Sequence, residues 1–254
     1  MPTAAGLYYF AHGEDLYDRP PALLLHGAGG SHLSWPPQIR RLSGQRIFTL
    51  DLPGHGKSEG LGRQDIAEYG KAIYEFMKAI RLSSVVIVGF SMGGAIALSL
   101  SLQYRKRVIG LGLVGGGAKM RVAPSLLEMA ATPSSYQSAV QAVIENSYSS
   151  TADPRLKELA TEQMLETRQA VLYGDFLACD AFDVMERVDK IRIPTLLICG
   201  SEDRMMPPNR SEYLRDRIEG AQLHIIEGAG HMAMIEQPDK VANLLSGFLD
   251  QIPY

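Results

Sequence analysis

The sequence predicts an α/β protein with a doubly wound, mostly parallel sheet and a helical cap inserted into it. Three observations lead to this fold class. Apolar, strand-like runs alternate with segments of helical periodicity over most of the 254 residues. One such run ends in a serine flanked by glycines and leads directly into a helix. The alternation then stops for about seventy residues of purely helical character.

The strand candidates are short apolar runs, several of them rich in Val, Ile and Leu, as expected for strands buried on both faces of a sheet. They are residues 21–26, 46–50, 85–88, 108–114, 195–199 and 222–227. Helical periodicity marks residues 65–81, 92–106, 209–218 and 238–250. Strand–helix alternation on this scale is typical of a parallel sheet with helices on both faces.

The segment between Gly117 and Pro194 breaks the alternation. Four stretches in it have helical character, with prolines between them: SLLEMA, SAVQAVIENSY, RLKELATEQMLETRQAVL and DAFDVMERV. About seventy residues of helix are too many for a single crossover connection between two strands. We therefore expect an inserted helical cap over the carboxyl ends of the strands. The predicted boundaries are residues 1–117 and 183–254 for the core and 118–182 for the cap.

Composition excludes several classes of partner. The net charge is −3 and no basic cluster is longer than residues 105–107, which argues against nucleic acid and against an anionic membrane. Cys179 and Cys199 are too few for a disulfide framework, and we expect both to be reduced. The first ten residues lack the pattern of a secretion signal. We therefore expect a cytoplasmic protein, a monomer or homodimer, whose partner is a small molecule.

The most informative stretch is VVIVGFSMGG, residues 85–94. A serine between a buried strand and a helix sits on a tight turn, and its neighbours two residues away must lack bulk. Gly89 and Gly93 meet that requirement. The turn is expected to hold the Ser91 hydroxyl over the helix N-terminus, where it can act as a nucleophile.

Serine needs a base, and a neutral imidazole with an acceptor on its second nitrogen is suited to that task. Of six histidines, His231 is the best candidate because it follows the last strand in a loop with glycines at 228 and 230. Asp203 follows the strand before it and is the candidate acid, with Glu202 as the adjacent alternative. The Met92 N–H, at the start of a helix, is a free donor for an oxyanion.

Five motifs in this order resemble those of the α/β-hydrolase superfamily: HGAGG (26–30), DLPGHGKS (51–58), GFSMGG (89–94), GSEDRMMP (200–207) and GAGH (228–231). Within it, the chain looks most like capped carboxylesterases and enol-lactone hydrolases. The resemblance implies a cap after the sixth strand and a triad of Ser91, Asp203 and His231.

The same resemblance makes Ala28 the second oxyanion donor beside Met92, with Gly29 as the alternative. The other polar residues of these loops, His26, Asp51 and His55, are interpreted as loop-stabilising groups. Neither a metal nor another cofactor is expected, because no ligand cluster or phosphate-binding loop is apparent.

The expected substrate is an ester with a small to medium, apolar acyl group. Five methionines lie close to the triad in sequence: Met92, Met205, Met206, Met232 and Met234. Thioether side chains make an adaptable apolar lining. The predicted substrate-binding residues are Gly27, Gly29, Trp35, Phe90, Met205 and Met232. Arg121, near the cap entrance, could bind a carboxylate, although a solvated arginine is the simpler interpretation.

Several alternatives remain on the same triad. Ser91 excludes the dehalogenase and epoxide-hydrolase branches, which use aspartate there. C–C bond hydrolases of ring-cleavage products also carry the S-M-G-G motif, although Phe90, the Gly-Ala-Gly-Gly loop and Met232 differ from their usual pattern. Lactonase, thioesterase and methyl-esterase activities stay open, as does a small-molecule receptor that retains the triad.

Overall fold

The structure, a computed structural model, describes residues 2–14 and 19–253. Within them an eight-stranded sheet has the order β1-β2-β4-β3-β5-β6-β7-β8. The strands β1 to β8 are Thr3–Ala4, Leu7–His12, Ala22–Leu25, Ile47–Leu50, Val85–Phe90, Val108–Val114, Thr195–Gly200 and Gln222–Ile226. The pairs β1–β2 and β2–β4 are antiparallel and all other pairs are parallel. The predicted fold class, a doubly wound and mostly parallel α/β sheet, is confirmed.

Strands β1 and β2 were not predicted. They form a hairpin that pairs with the edge of the parallel sheet through β4. A hairpin has no helix between its strands, so it lies outside the strand–helix alternation that revealed the other six. The two residues of its turn, Ala5 and Gly6, both have positive φ angles, as the tight hairpin turn requires.

Helices pack on both faces of the sheet. The helices α1 to α10 are Pro37–Arg40, Ile66–Ala79, Met92–Gln103, Pro124–Ala131, Tyr136–Ser147, Pro154–Leu165, Gln169–Ala181, Pro208–Arg217, Ala233–Glu236 and Pro238–Leu249. Short 3₁₀ segments lie at His32–Ser34, Pro133–Ser135 and Met185–Lys190. Alternate residues of each central strand face opposite cores. Leu23 packs with α2 and α3, whereas Leu24 packs with α1 and α10.

Helices α4 to α7 form the predicted cap, which follows β6. They enclose a small apolar core of their own that includes Val140, Leu172 and Phe176. The chain enters and leaves the cap side by side: the Val184 N–H donates to the Ala118 carbonyl at 2.8 Å, and Lys119 pairs with Asp183 at 2.6 Å.

The structure divides two of the four stretches that were predicted to have helical character. The long helical stretch RLKELATEQMLETRQAVL is two helices, since α6 ends at Leu165 and α7 begins at Gln169. The stretch DAFDVMERV is not a helix. It contains the end of α7, an isolated β-bridge at Asp183 and the start of a 3₁₀ segment. Helical composition does not locate such breaks, because they are set by the return of the chain to the sheet.

None of the helices in the described part of the chain combines the length and the apolar character needed to cross a membrane.

Candidate active site

Ser91 lies on a strained turn between β5 and α3. Its backbone has φ 51° and ψ −117°, a conformation that costs energy for any residue with a Cβ. The turn is tight because a Cβ at Gly89 would lie 2.1 Å from the Gly93 carbonyl oxygen. A Cβ at Gly93 would in turn lie 2.3 Å from the Leu25 carbonyl oxygen. The two glycines around Ser91 are therefore sterically required, as their spacing predicted.

Asp203 follows β7 and uses its two carboxylate oxygens differently. Oδ1 accepts the backbone N–H groups of Met205 and Met206 at 3.0 and 2.7 Å, which fixes the carboxylate in the turn. Oδ2 lies 2.8 Å from Nδ1 of His231. Glu202, the alternative acid, points elsewhere and accepts from the backbone and hydroxyl of Ser150 in the cap. These hydrogen bonds lower the pKa of Glu202.

His231 is buried in the loop after β8, and the surrounding loop is tied down. The Gly230 N–H donates to Glu236 at 2.8 Å, and the Met232 N–H donates to the Ser147 carbonyl of the cap at 3.0 Å. The His231 ring lies against Phe90, with ring centroids 4.9 Å apart. Nδ1 of the ring faces Asp203, so a neutral ring protonated at Nδ1 has an unprotonated Nε2.

Ser91 and His231 line the same cavity. Across residues 2–14 and 19–253, no hydrogen bond joins the Ser91 hydroxyl to another group, so Ser91 and His231 are neighbours without a formed bond. Hydrogen bonds between nucleophile and base are often long in free enzymes and shorten when substrate binds. The structure thus brings together the three predicted triad residues, with the Asp203–His231 contact already made.

The two backbone N–H groups predicted to bind an oxyanion have no acceptor among the described residues. Met92 is the first residue of α3, so its N–H has no acceptor within the helix. No acceptor within the described residues is bonded to the N–H of Ala28 either. The N–H of Gly29, the alternative donor, is occupied by Asp175 at 2.9 Å. The N–H groups of Ala28 and Met92 are therefore unoccupied, whereas that of the alternative donor Gly29 is not.

The polar loop residues His26, Asp51 and His55 brace the site. His26 Nε2 accepts the Leu52 N–H at 3.0 Å and Nδ1 contacts the Gly27 carbonyl at 2.7 Å, which requires a neutral ring. Burial and the neighbouring His55 lower the pKa of His26 to about 4, in agreement with that state. Asp51 accepts from the backbone of His32 and of Lys57.

Asp175 and Thr167 of the cap were missed by the sequence analysis. Asp175 is fully buried and binds Gly29, His55 and Tyr69. The Thr167 hydroxyl donates to the Gly29 carbonyl at 2.9 Å. No local signal in the sequence could find them, because their partners lie more than 100 positions away.

A cavity of about 560 Å³ opens over Ser91 between the core and the cap. The predicted substrate-binding residues Gly27, Gly29, Phe90, Met205 and Met232 line it. Trp35 does not, and that prediction was wrong. Its side chain is fully buried in the core, among residues such as Leu24 and Ile39. Its place in the sequence, shortly after the loop, suggested a proximity that the inward turn of the chain removes.

The methionine lining is partly as predicted. Met205, Met206 and Met232 line the cavity, whereas Met92 and Met234 face the core on opposite sides of the sheet. The cap adds three further methionines to the lining, Met120, Met129 and Met164. Arg121 lies at the exposed rim, where its guanidinium donates to the Asp180 carbonyl. The wall of the cavity near the triad is therefore mainly apolar.

Comparison with known proteins agrees with this geometry. The model of the alpha/beta hydrolase family matches residues 22–244. The chain is 27% identical to 3-oxoadipate enol-lactonase 1 of Acinetobacter baylyi, over 92% of this chain and 90% of that protein. It is 26% identical to a pimeloyl-[acyl-carrier protein] methyl ester esterase of Neisseria meningitidis, over 98% and 95% of the two chains.

A solved structure, the enol-lactonase of Burkholderia xenovorans, superposes with a TM-score of 0.89 over 96% of both chains at 24% identity. At that identity the likeness concerns the fold.

Proposed function

The chain belongs to the alpha/beta hydrolase family, and from this premise we propose that it cleaves carboxylic esters through an acyl-enzyme on Ser91. The observation that carries the proposal is the contact of 2.8 Å between Asp203 and His231 beside a strained serine at one cavity. The names of the relatives, a lactonase and an esterase, agree with an ester-type bond as the target.

Acylation uses the triad in its familiar roles. The Nδ1–H of His231 donates a hydrogen bond to the Asp203 carboxylate and keeps its proton, so the unprotonated Nε2 accepts the proton of the Ser91 hydroxyl. The Ser91 oxygen attacks the carbonyl carbon, and the negative charge that develops on the carbonyl oxygen is stabilised by the N–H groups of Ala28 and Met92. The tetrahedral intermediate collapses as His231 protonates the departing alcohol.

Deacylation repeats these steps with water in place of the alcohol. His231 takes a proton from water, the hydroxide attacks the acyl-Ser91 ester, and Ser91 leaves with the proton from His231. The carboxylic acid product is then released. Every proton moved in the two halves passes through Nε2 of His231, so the enzyme ends each cycle in its starting state.

The apolar lining supports small to medium, uncharged acyl groups as substrates. Met205 and Met232 flank the triad from the core side, and Met129 and Met164 cover it from the cap, residues 118–182. Arg121 also lines the cavity, but its side chain is exposed and its guanidinium donates to the Asp180 carbonyl. Half-esters of dicarboxylic acids are expected to be poor substrates, because a carboxylate would be desolvated among thioethers.

Lactone hydrolysis is the second candidate. A lactone is a cyclic ester and reacts with the same nucleophile, and two of the compared proteins are named as enol-lactonases. A lactone differs in one respect: its alcohol stays attached to the acyl group, so no separate product leaves before deacylation.

A substrate panel tests the proposal. We expect kcat/KM for p-nitrophenyl acetate, butyrate and octanoate to exceed that for monoesters of dicarboxylic acids, with a simple lactone measured beside them. Ser91→Ala should lower kcat by roughly 10⁶-fold. Ser99→Ala removes a hydroxyl from the same helix, where its one hydrogen bond among the described residues is accepted from the Gln103 amide, and it should keep wild-type kinetics.

Three outcomes contradict the proposal. If Ser91→Ala keeps more than a few per cent of activity, Ser91 is not the nucleophile. A preference for charged monoesters overturns the apolar acyl site. A single burst of product without turnover indicates a receptor that retains the triad.

A further inference from the structure

We propose that Asp175 of the cap is a positioning residue that holds the loop of residues 26–30, here called the oxyanion loop. The oxyanion hole is then complete only while the cap is docked. This inference rests on the proposed function, since it concerns the geometry of the Ala28 donor. It gives the cap a role in transition-state stabilisation in addition to its contribution to the wall of the cavity.

The cap holds both polar groups of one residue in the oxyanion loop. Asp175 Oδ2, on α7, accepts the Gly29 N–H at 2.9 Å. The Thr167 hydroxyl, just before α7, donates to the Gly29 carbonyl at 2.9 Å. The chain thus fixes the two peptide planes on either side of Gly29 from the cap, 138 to 146 positions away in sequence.

Gly29 links the Asp175 and Thr167 contacts to the neighbouring residue Ala28. Its φ of +64° is freely accessible to glycine, which has little preference of its own for this conformation. The Ala28 N–H belongs to the preceding peptide, 27–28, which is joined to the held 28–29 peptide through the Cα atom of Ala28, so a displacement of Gly29 shifts that Cα atom and with it the Ala28 N–H. Within the loop the Gly30 N–H donates to the Gly27 carbonyl at 3.2 Å, and the Asp175 and Thr167 contacts add a second restraint from the cap, so their loss widens the range of orientations of the Ala28 N–H.

Asp175 is itself rigidly placed. Its carboxylate is fully buried, and besides Gly29 it binds His55 Nε2 at 2.8 Å and the Tyr69 hydroxyl at 2.5 Å. His55 Nδ1 lies 3.1 Å from the Pro53 carbonyl, so both ring nitrogens of His55 face acceptors and the ring is held as a cation. The charge of Asp175 and its hydrogen bonds accordingly raise the pKa of His55, against the effect of burial.

Two roles could account for such a buried carboxylate. If Asp175 only anchored the cap, its bonds to His55 and Tyr69 would suffice, and its loss would affect stability or substrate affinity. The third bond, to Gly29, ties it to the oxyanion loop. An oxyanion forms only in the transition state, so a loosened donor lowers kcat and leaves ground-state binding unchanged.

The test is Asp175→Asn, which replaces the carboxylate with an amide of the same size. The amide has one oxygen instead of two, so it cannot accept all the hydrogen bonds that Asp175 accepts from His55, Tyr69 and Gly29. Loss of an oxyanion donor lowers kcat by about 10²–10³-fold, and a misplaced donor should lower it by roughly 10- to 100-fold. We expect KM for p-nitrophenyl butyrate to change by less than about three-fold. Affinity for a trifluoromethyl ketone, which forms an oxyanion on Ser91, should fall in parallel with kcat, whereas inhibition by butyrate should not.

Asp180→Asn is the matched control. It makes the same change on the same helix, where the Asp180 carboxylate accepts a single hydrogen bond from the described residues, that of the Val122 N–H, and it should keep wild-type kcat and KM. Thr167→Val is the second variant, which removes the hydroxyl on the Gly29 carbonyl without changing charge. It should lower kcat by about three- to ten-fold at constant KM, and it is decisive if Asp175→Asn does not fold.

The inference is overturned if folded Asp175→Asn keeps wild-type kcat, or if its KM rises while ketone affinity stays unchanged. With an unfolded Asp175→Asn, wild-type kcat in Thr167→Val overturns it. A wild-type protein that neither hydrolyses the ester nor is labelled by a fluorophosphonate at Ser91 contradicts the proposed function itself, and the inference with it. If the wild-type protein is active and both Asp175→Asn and Thr167→Val match it, the inference about the cap is contradicted and the proposed function is not.

Discussion

Replacement of Gly115 by alanine should impair catalysis although it removes no functional group. Gly115 directly follows β6 and has a φ of +58°. An added Cβ there would lie 2.9 Å from both Cε1 and Nδ1 of His231 and 3.4 Å from Oδ2 of Asp203. The imidazole and its carboxylate partner therefore pack directly on the bare backbone of this glycine.

The expected size of the effect follows from these distances. Ordinary van der Waals contact begins near 3.4 Å, so the imidazole must move by about 0.5 Å to accept the methyl group. Since a displacement of about 1 Å can lower the rate by about 10²-fold, we expect kcat for Gly115→Ala to fall by roughly ten-fold. The left-handed backbone adds a stability cost of about 1–2 kcal/mol.

The assay is kcat and KM for p-nitrophenyl butyrate together with the melting temperature. Gly116→Ala is the matched control, because its Cβ meets only the Leu113 side chain, at 3.3 Å, and its φ is not positive. It should stay within about two-fold of wild type. If folded Gly115→Ala keeps wild-type kcat, the described placement of His231 is not the one used in catalysis.

Three further predictions concern the triad, the turn and the loop. Asp203→Asn should lower kcat by roughly 10⁴-fold with KM nearly unchanged, and a loss below ten-fold would remove Asp203 from the triad. Gly93→Ala should abolish soluble expression or lower the melting temperature strongly, because its Cβ meets backbone oxygens at 2.3 and 2.7 Å. Gly94→Ala, with 3.4 Å to its nearest neighbour, should be tolerated or stabilising by up to about 1 kcal/mol. Burial lowers the pKa of His26 from 6.5 to about 4, so the unfolded chain binds the extra proton between these values. Stability should therefore be lost as pH falls from 6.5 toward 4, by an amount on the order of 3 kcal/mol, and the fall in melting temperature should be smaller in His26→Gln. An equal fall in both proteins would contradict the neutral His26.

What could be predicted from the sequence is what the local backbone determines. The turn around Ser91 needs small residues at fixed offsets, so the motif specifies its own geometry. Asp203 and His231 follow strands of a parallel sheet, and the carboxyl ends of such strands meet at one edge. The glycine that follows β6 also has a structural reason, since Gly115 leaves the space that His231 occupies.

What could not be predicted depends on contacts between distant segments. Asp175 is one carboxylate among several on the cap helices, and only the packing of α7 on the oxyanion loop distinguishes it. Trp35 was placed at the site from its sequence position, but the chain turns it into the core. Met129 and Met164 come to the cavity with the cap, whose packing on the core no periodicity specifies.

Covalent capture of the acyl-enzyme tests the central claim most directly. The protein is mixed with p-nitrophenyl butyrate, quenched in acid within the burst phase, and analysed by intact and peptide mass spectrometry. We predict one butyryl group per chain, on the peptide that contains Ser91, and none in Ser91→Ala. Steady turnover with no acyl group on Ser91, or with the group on another residue, would contradict the account.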